Sequence, residues 1–175
     1  MTAAELRPTL LNSCARATTA AEARYRINAP LDTIRASRIV ALDQDAAGII
    51  RRIVDLPWSD GVRFLLFEEP VSADDLDGLQ TDATLRTVDG ATSMLSDELT
   101  DADVAVMVAT ADAGARAALV IGQACFVRGI MTAGLVVAEG GMAEQALAAL
   151  RPHAMVLVVT TDEDDVPEML GALRV

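Results

Sequence analysis

The chain has 175 residues, of which 52% are hydrophobic and 23% are charged, so it predicts one domain with a substantial apolar core and argues against disorder. Its formal net charge of −12 argues against binding nucleic acid or an anionic membrane, and two cysteines are too few for a disulfide framework. All 14 basic residues are arginine, which excludes a Schiff-base lysine and the lysine of a Walker A loop.

The N-terminal residues differ in charge from the rest of the chain. Residues 1–38 hold six arginines against three acids, a net charge of +3, whereas the remainder carries −15. We predict a basic arm over residues 1–37, with a helix at 15–27, that docks on the acidic body of its own chain or of a second copy. If the arm builds an oligomer, deleting residues 1–30 should lower the oligomeric state.

Apolar runs alternate with helical patterns over residues 38–175, which we predict as the folded domain. Strands are predicted at residues 39–42, 62–67, 83–88, 103–109, 132–138 and 155–159. Helices are predicted at residues 46–54, 72–79, 91–99, 114–128, 142–150 and from 164 or 165 through 173. Continuous apolar strands followed by helices predict a three-layer α/β sandwich with a mostly parallel, Rossmann-like sheet of five or six strands. Ligands of such sheets bind beyond the carboxyl ends of the strands.

The connection after the first strand carries Asp43 and Asp45, with Gly48 as the only glycine nearby. A dinucleotide site requires a G-x-G-x-x-G pattern here, and that pattern is absent. Two acids at the start of a helix cap its amides and repel phosphate. The alternative is that Asp43 and Asp45 hold Mg²⁺, a cation that prefers carboxylate oxygens.

The connection after the fourth strand offers a place for a small anion. Gly114 permits close backbone approach, and Arg116 supplies a fork-shaped cation beside Asp112. The alternative is tight packing of small residues between helix and sheet. We therefore carry Asp43, Asp45, Gly48, Asp112, Gly114 and Arg116 forward as candidate ligand-binding residues.

Other residues with chemical potential have plainer interpretations. The four acids of residues 162–165 stabilise a helix start, with a metal site as the alternative. Cys125 lies in an apolar helix and is interpreted as a core residue. Trp58 is expected to cover the sheet edge, with a surface anchor as the alternative, and His153 to be a solvated or capping residue between a helix and a strand.

Several function classes are excluded by what the chain lacks. His153 is the only histidine, and no GxSxG motif accompanies it, which argues against His-rich zinc sites and against a Ser-His-Asp triad. No apolar run reaches the roughly 20 residues that a membrane-spanning helix needs, and the N-terminus lacks the apolar segment of a secretory signal. We predict a cytoplasmic protein with no catalytic residue, cofactor, resident metal, nucleic-acid partner or membrane partner.

The segment from residue 101 to 159 resembles the nucleotide-binding domain of FtsZ, the bacterial tubulin homologue. The similarity lies in a strand that leads through a loop into a helix, followed by a strand of the "gly-ile-leu-thr" kind, a helix and a further strand. The matching stretches are Ala102-Asp103-Val104, residues 105–110, residues 117–121, Arg128-Gly129-Ile130-Met131-Thr132 and residues 150–159. The resemblance implies the nucleotide-binding fold of that family.

The loops depart from the family pattern at the point where nucleotide binds. The family's phosphate loop reads GGGTGTG, whereas residues 112–116 contain the single glycine Gly114. We therefore predict a non-catalytic protein with a degenerate FtsZ-like nucleotide site, acting through self-association or a protein partner. The alternative is a small-molecule or nucleotide-binding enzyme or sensor that uses Asp43, Asp45, Gly114 and Arg116.

Overall fold

Strands and helices alternate along the chain from Ser37 onward. The computed structural model describes residues 35–68, 83–139 and 142–173. The strands are β1 (Ser37–Ala41), β2 (Val62–Glu68), β3 (Thr84–Thr87), β4 (Thr92–Met94), β5 (Val104–Ala109), β6 (Met131–Val137) and β7 (Val156–Thr160). The helices are α1 (Gln44–Ile53), α2 (Leu95–Glu98), α3 (Ala115–Arg128), α4 (Glu144–Leu150) and α5 (Asp165–Ala172). The helices predicted at 15–27 and 72–79 lie outside the described residues, as does nearly all of the predicted arm.

The described strands form one sheet of seven, in the order β4-β3-β2-β1-β5-β6-β7. The prediction of an α/β fold with a mostly parallel sheet is confirmed, but the predicted count of five or six strands is wrong. Five neighbouring strands are parallel to one another, namely β2, β1, β5, β6 and β7. Strands β3 and β4 form an antiparallel hairpin that pairs with β2 at one edge of the sheet. Among the parallel strands, the first in sequence lies between the second and third, as in one common doubly wound order.

The extra strand arises where a single helix was predicted over residues 91–99. Thr92–Met94 is extended and pairs with β3, and only Leu95–Glu98 is helical. The hairpin turns at Asp89-Gly90, where Gly90 has a φ of +94° that L residues rarely adopt. An Asp-Gly pair between two extended runs is a strong hairpin signal, and it favours the strand that the predicted helix over residues 91–99 missed.

Alternate residues of the strands build two apolar layers, one on each face of the sheet. On one face, Val40, Leu65 and Met107 pack with α3 and α4. On the other face, Ile39, Leu66 and Val106 pack with α1 and α5 in a second core cluster. Because successive strand residues point to opposite faces, strands that are apolar throughout need helices on both sides.

Helix α3 ends where its sequence predicts. Gly129 follows Arg128 with a φ of +70°, and its N–H donates to the carbonyls of Cys125 and Phe126. A left-handed residue closes the last turn of a helix in this way, and glycine adopts that conformation without a Cβ clash. Helix α3 therefore turns back into β6 after only two further residues.

Candidate functional site

The candidate site lies where β1 and β5 end side by side. Ala41 of β1 is in register with Val108 of β5, so the loops that follow these two strands meet at the carboxyl edge of the sheet. The helix after β1 packs on one face and the helix after β5 packs on the other. This divergence creates the crevice in which doubly wound proteins bind ligands.

The carboxylate of Asp43 fills this crevice with hydrogen bonds. Its Oδ1 accepts from the Ala46 N–H at 2.8 Å and from the Thr110 hydroxyl at 2.6 Å. Its Oδ2 accepts from the N–H groups of Thr110 at 2.7 Å and Ala111 at 3.1 Å. Asp43 therefore caps α1 and, at the same time, ties the β1 loop to the β5 loop.

Leu42 and Asp43 lie against Gly114 and leave no room there for a larger residue. A Cβ placed at Gly114 would lie 2.9 Å from Leu42 Cβ and 3.3 Å from Asp43 Oδ2. The first distance is shorter than real Cβ contacts, and Leu42 Cβ is attached directly to the backbone, so the loops would have to separate. The glycine predicted to approach a ligand instead approaches the protein's own carboxylate.

Asp112 occupies a second helix start at the same edge. Its Oδ1 accepts from the N–H of Gln145 at 2.7 Å and from the N–H of Ala146 at 3.4 Å. Both amides belong to the first turn of α4, whose N-cap residue Ala143 has no side chain that caps it. Asp112 therefore supplies from the β5 loop the cap that the sequence of α4 lacks.

The remaining predicted site residues do not join this arrangement. Asp45 is exposed in the first turn of α1, and Gly48 lies within that helix, where an added Cβ would meet the Arg52 side chain at 3.7 Å. Arg116 is half-buried as the second residue of α3 and makes no hydrogen bond or ion pair with the described residues. The structure thus brings Asp43 and Gly114 together, with Asp112 in the same loop as Gly114.

The acidic segment after β7 is organised by its own chain. Asp162 Oδ1 accepts from the Asp164 N–H at 3.0 Å, and the Thr160 hydroxyl donates to Asp165 at 2.5 Å. Glu163 forms an ion pair with Arg52 of α1. Within the described ranges, no three His, Cys, Asp or Glu side chains converge as metal ligands do. These contacts fit the interpretation as a stabilised helix start.

The opposite, amino end of the sheet holds an ion cluster that the sequence reasoning missed. Glu98 of α2 is only 4% exposed, and its carboxylate contacts Arg38 Nε at 3.3 Å and Arg63 Nη2 at 3.1 Å. Burial lowers the pKa of the Arg38 guanidinium, and the Glu98 charge opposes that shift. The available signal was one arginine in each of two adjacent apolar strands.

Three other residues have defined surroundings. Cys125 is buried in the core as predicted, and loss of solvent raises the pKa of its thiol to about 12. The Trp58 ring packs on Phe64 of β2, an interior strand, rather than covering the sheet edge as expected. His153 lies between α4 and β7, and its ring sits against Gly122, where an added Cβ would be 2.4 Å from the ring.

None of the described helices combines the length and apolar character needed to cross a bilayer. The comparisons add no relative: no protein-family model matches the chain, and no curated protein or solved structure matches it.

Proposed function

We propose that the chain is a non-catalytic Rossmann-like protein that acts through self-association or a protein partner, and that its FtsZ-like nucleotide site is degenerate. The observation that carries the proposal is the position of the Asp43 carboxylate. In doubly wound folds the amides at this crevice bind the phosphate of a ligand. Here one side chain takes two amides of the β5 loop and one amide at the start of α1.

Charge supports the same conclusion. A phosphate that entered the crevice would have to displace Asp43 or lie beside its negative charge, and Asp112 adds a second carboxylate in the neighbouring β5 loop. The chain has no lysine that could offset these charges. A polyphosphate is therefore disfavoured both by occupied donors and by like-charge repulsion.

The outer surface supports action through a protein partner. Several large apolar side chains are exposed in the last turn of α3 and in and just before β7, including Phe126 at 73% and Met155 at 75%. Contiguous exposed apolar surface on a soluble domain often marks an interaction site. The polar groups at the carboxyl edge of the sheet therefore bond to one another, whereas these apolar side chains are exposed elsewhere on the surface.

Thermal unfolding with and without GTP, ATP or NAD tests the proposal. We expect the midpoint of the full-length chain to stay unchanged at modest nucleotide concentrations. A rise of several degrees with any of the three would count against a degenerate site, because a ligand that binds only the folded state must stabilise it.

The variant Asp43→Ser sharpens this test. Serine can still cap α1 but is too short to reach both β5-loop amides, so those donors become available. Inorganic phosphate should then raise the unfolding midpoint of Asp43→Ser more than that of the parent chain. The matched control is Asp45→Ser, which removes a neighbouring exposed charge without freeing an amide. An equal response of the two variants would show that Asp43 does not block the donors.

A second candidate function is recognition of a small anion by Arg116. Arg116 is a half-buried residue two positions after Gly114, and it makes no hydrogen bond or ion pair to any residue that the structure describes. This candidate predicts that Arg116→Ala abolishes binding of a small anionic ligand and leaves the unfolding midpoint unchanged. Normal ligand binding by that variant would remove it.

A further inference from the structure

One edge of the sheet is apolar and open. β7 pairs with β6 on one side, and no described strand pairs with its other side. From Ala154 to Thr161 the sequence contains no charged residue and no proline. Natural proteins usually protect an edge strand with charges, proline or a bulge, because its free backbone groups can pair with another strand.

The side chains along this edge are exposed as well as apolar. Met155 is 75% exposed, Val156 44% and Val159 56%. Phe126 extends this surface at the amino end of β7. It lies one helical turn beyond Gly122, and Gly122 packs against His153, which is two residues before Met155. We call these four residues the β7 edge surface. The opposite edge strand, β4, is only three residues long.

Charge differs between the two ends of the β7 edge surface. Exposed Arg151 precedes β7, and exposed Arg128 ends α3 near Phe126. Beyond the other end of β7 lie Asp162, Glu163 and Asp164, all exposed. An antiparallel neighbour of the same sequence therefore brings the basic end of each strand to the acidic end of the other.

We propose that the β7 edge pairs antiparallel with β7 of a second copy of this chain across a two-fold axis. This inference rests on the proposed function and identifies the protein partner as a second copy of the chain. With Val158 on the axis, Leu157 lies opposite Val159 of the second copy, and Arg151 lies near Asp164 and Asp165 of that copy. Two-fold pairing uses the same patch twice and closes after two chains, whereas head-to-tail pairing continues into fibres.

The mass of the full-length chain in solution, measured by light scattering over a range of concentrations, tests the pairing. We expect a dimer that becomes a monomer in Val159→Lys, because each copy then places a charge in the apolar centre of the interface. The matched control is Met94→Lys, which puts the same charge on the opposite edge strand. Circular dichroism and the unfolding midpoint verify that both variants fold.

A charge exchange gives a second test that leaves β7 itself intact. Arg151→Glu should raise the dimer dissociation constant, and adding Asp164→Arg should restore it toward the parent value. A monomeric parent chain, or a dimer that persists in Val159→Lys, overturns the inference. The second result points to another surface, such as residues 1–34. Neither result tests whether the nucleotide site is degenerate. Thermal unfolding with and without nucleotides tests that separately.

Discussion

The two ends of the parallel sheet each hold a carboxylate, and they stabilise it by different means. At the carboxyl end, Asp43 accepts four hydrogen bonds, all from neutral N–H and O–H groups. At the amino end, Glu98 is buried against two guanidinium groups, and its Oε2 has no hydrogen bond to a described residue. One carboxylate is held by dipoles, and the other is held by formal charge.

The topology explains the difference. Helices start at the carboxyl ends of parallel strands, so free amides and the positive ends of helix dipoles gather there. At the amino ends of β1 and β2, the guanidinium groups of Arg38 and Arg63 instead balance the buried Glu98 carboxylate. The carboxyl end of the sheet is therefore intrinsically able to bind an anion, and in this chain the bound anion is the Asp43 carboxylate.

The largest effect should follow the loss of Glu98. Glu98→Ala leaves Arg38 buried without its carboxylate partner, which should lower the free energy of unfolding by about 3 kcal/mol. Glu98→Gln should cost less, because the amide oxygen can still accept a hydrogen bond. Urea unfolding of both variants measures the difference. A smaller loss for Glu98→Ala than for Asp43→Ala would reverse our ranking of the two ends.

Removal of Asp43 should come next. Asp43→Ala loses the cap of α1 and the link to the β5 loop, and we expect a cost of about 2 kcal/mol because the freed amides can bind water. Asp43→Ser should recover the part that belongs to the cap. Equal stabilities of these two variants would mean that only the link between the loops contributes.

Alkaline pH should weaken the core beside the amino end. Burial raises the pKa of the Cys125 thiol from its ordinary value of 9.0 to about 12 in the folded chain. The folded state therefore holds this proton more tightly, so its contribution is complete below pH 9 and is lost as pH rises toward 12. By pH 10 the loss should be about 1 kcal/mol. Cys125→Ala should lack this component, so parallel pH profiles of the two proteins would contradict the assignment.

The smallest effect is expected on the surface of the carboxyl end. Arg52 and Glu163 form an ion pair between α1 and the segment that precedes α5, but their side chains are 57% and 52% exposed. Arg52→Ala should therefore change the free energy of unfolding by no more than about 0.5 kcal/mol. Added salt should abolish even that difference. If Arg52→Ala lowered the free energy of unfolding more than Asp43→Ala does, this surface pair would matter more than the Asp43 carboxylate.

Much of the fold could be predicted because local pattern and tertiary environment agree. The runs at residues 104–109 and 133–138 are apolar throughout, as strands buried on both faces must be, and Gly129 marks the end of α3. The prediction failed over residues 91–99, where pairing with β3 keeps Thr92–Met94 extended. Strand pairing between distant segments contributes backbone hydrogen bonds that no local periodicity records.

The candidate site was predictable in its residues but not in its contacts. Asp43 as a helix cap follows from its position before an amphipathic helix. Its bonds to Thr110 and Ala111, 67 and 68 residues away, depend on β1 and β5 being neighbours. Asp112 was interpreted as part of an anion loop, yet it caps α4, because Ala143 offers no side-chain oxygen at the start of that helix.

The amino-acid sequence alone determined that this protein has an α/β fold, an acidic body without lysine, and a stretch at residues 112–116 with Gly114 as its single glycine. Composition and periodicity are properties of the chain itself, so they need no knowledge of neighbours. Only the tertiary structure decided that the Asp43 carboxylate accepts from the amides of the switch point, that Glu98 contacts Arg38 and Arg63, and that β7 is an edge strand of the described sheet. Each of these depends on strand order, which is set by packing and pairing between segments far apart in the chain.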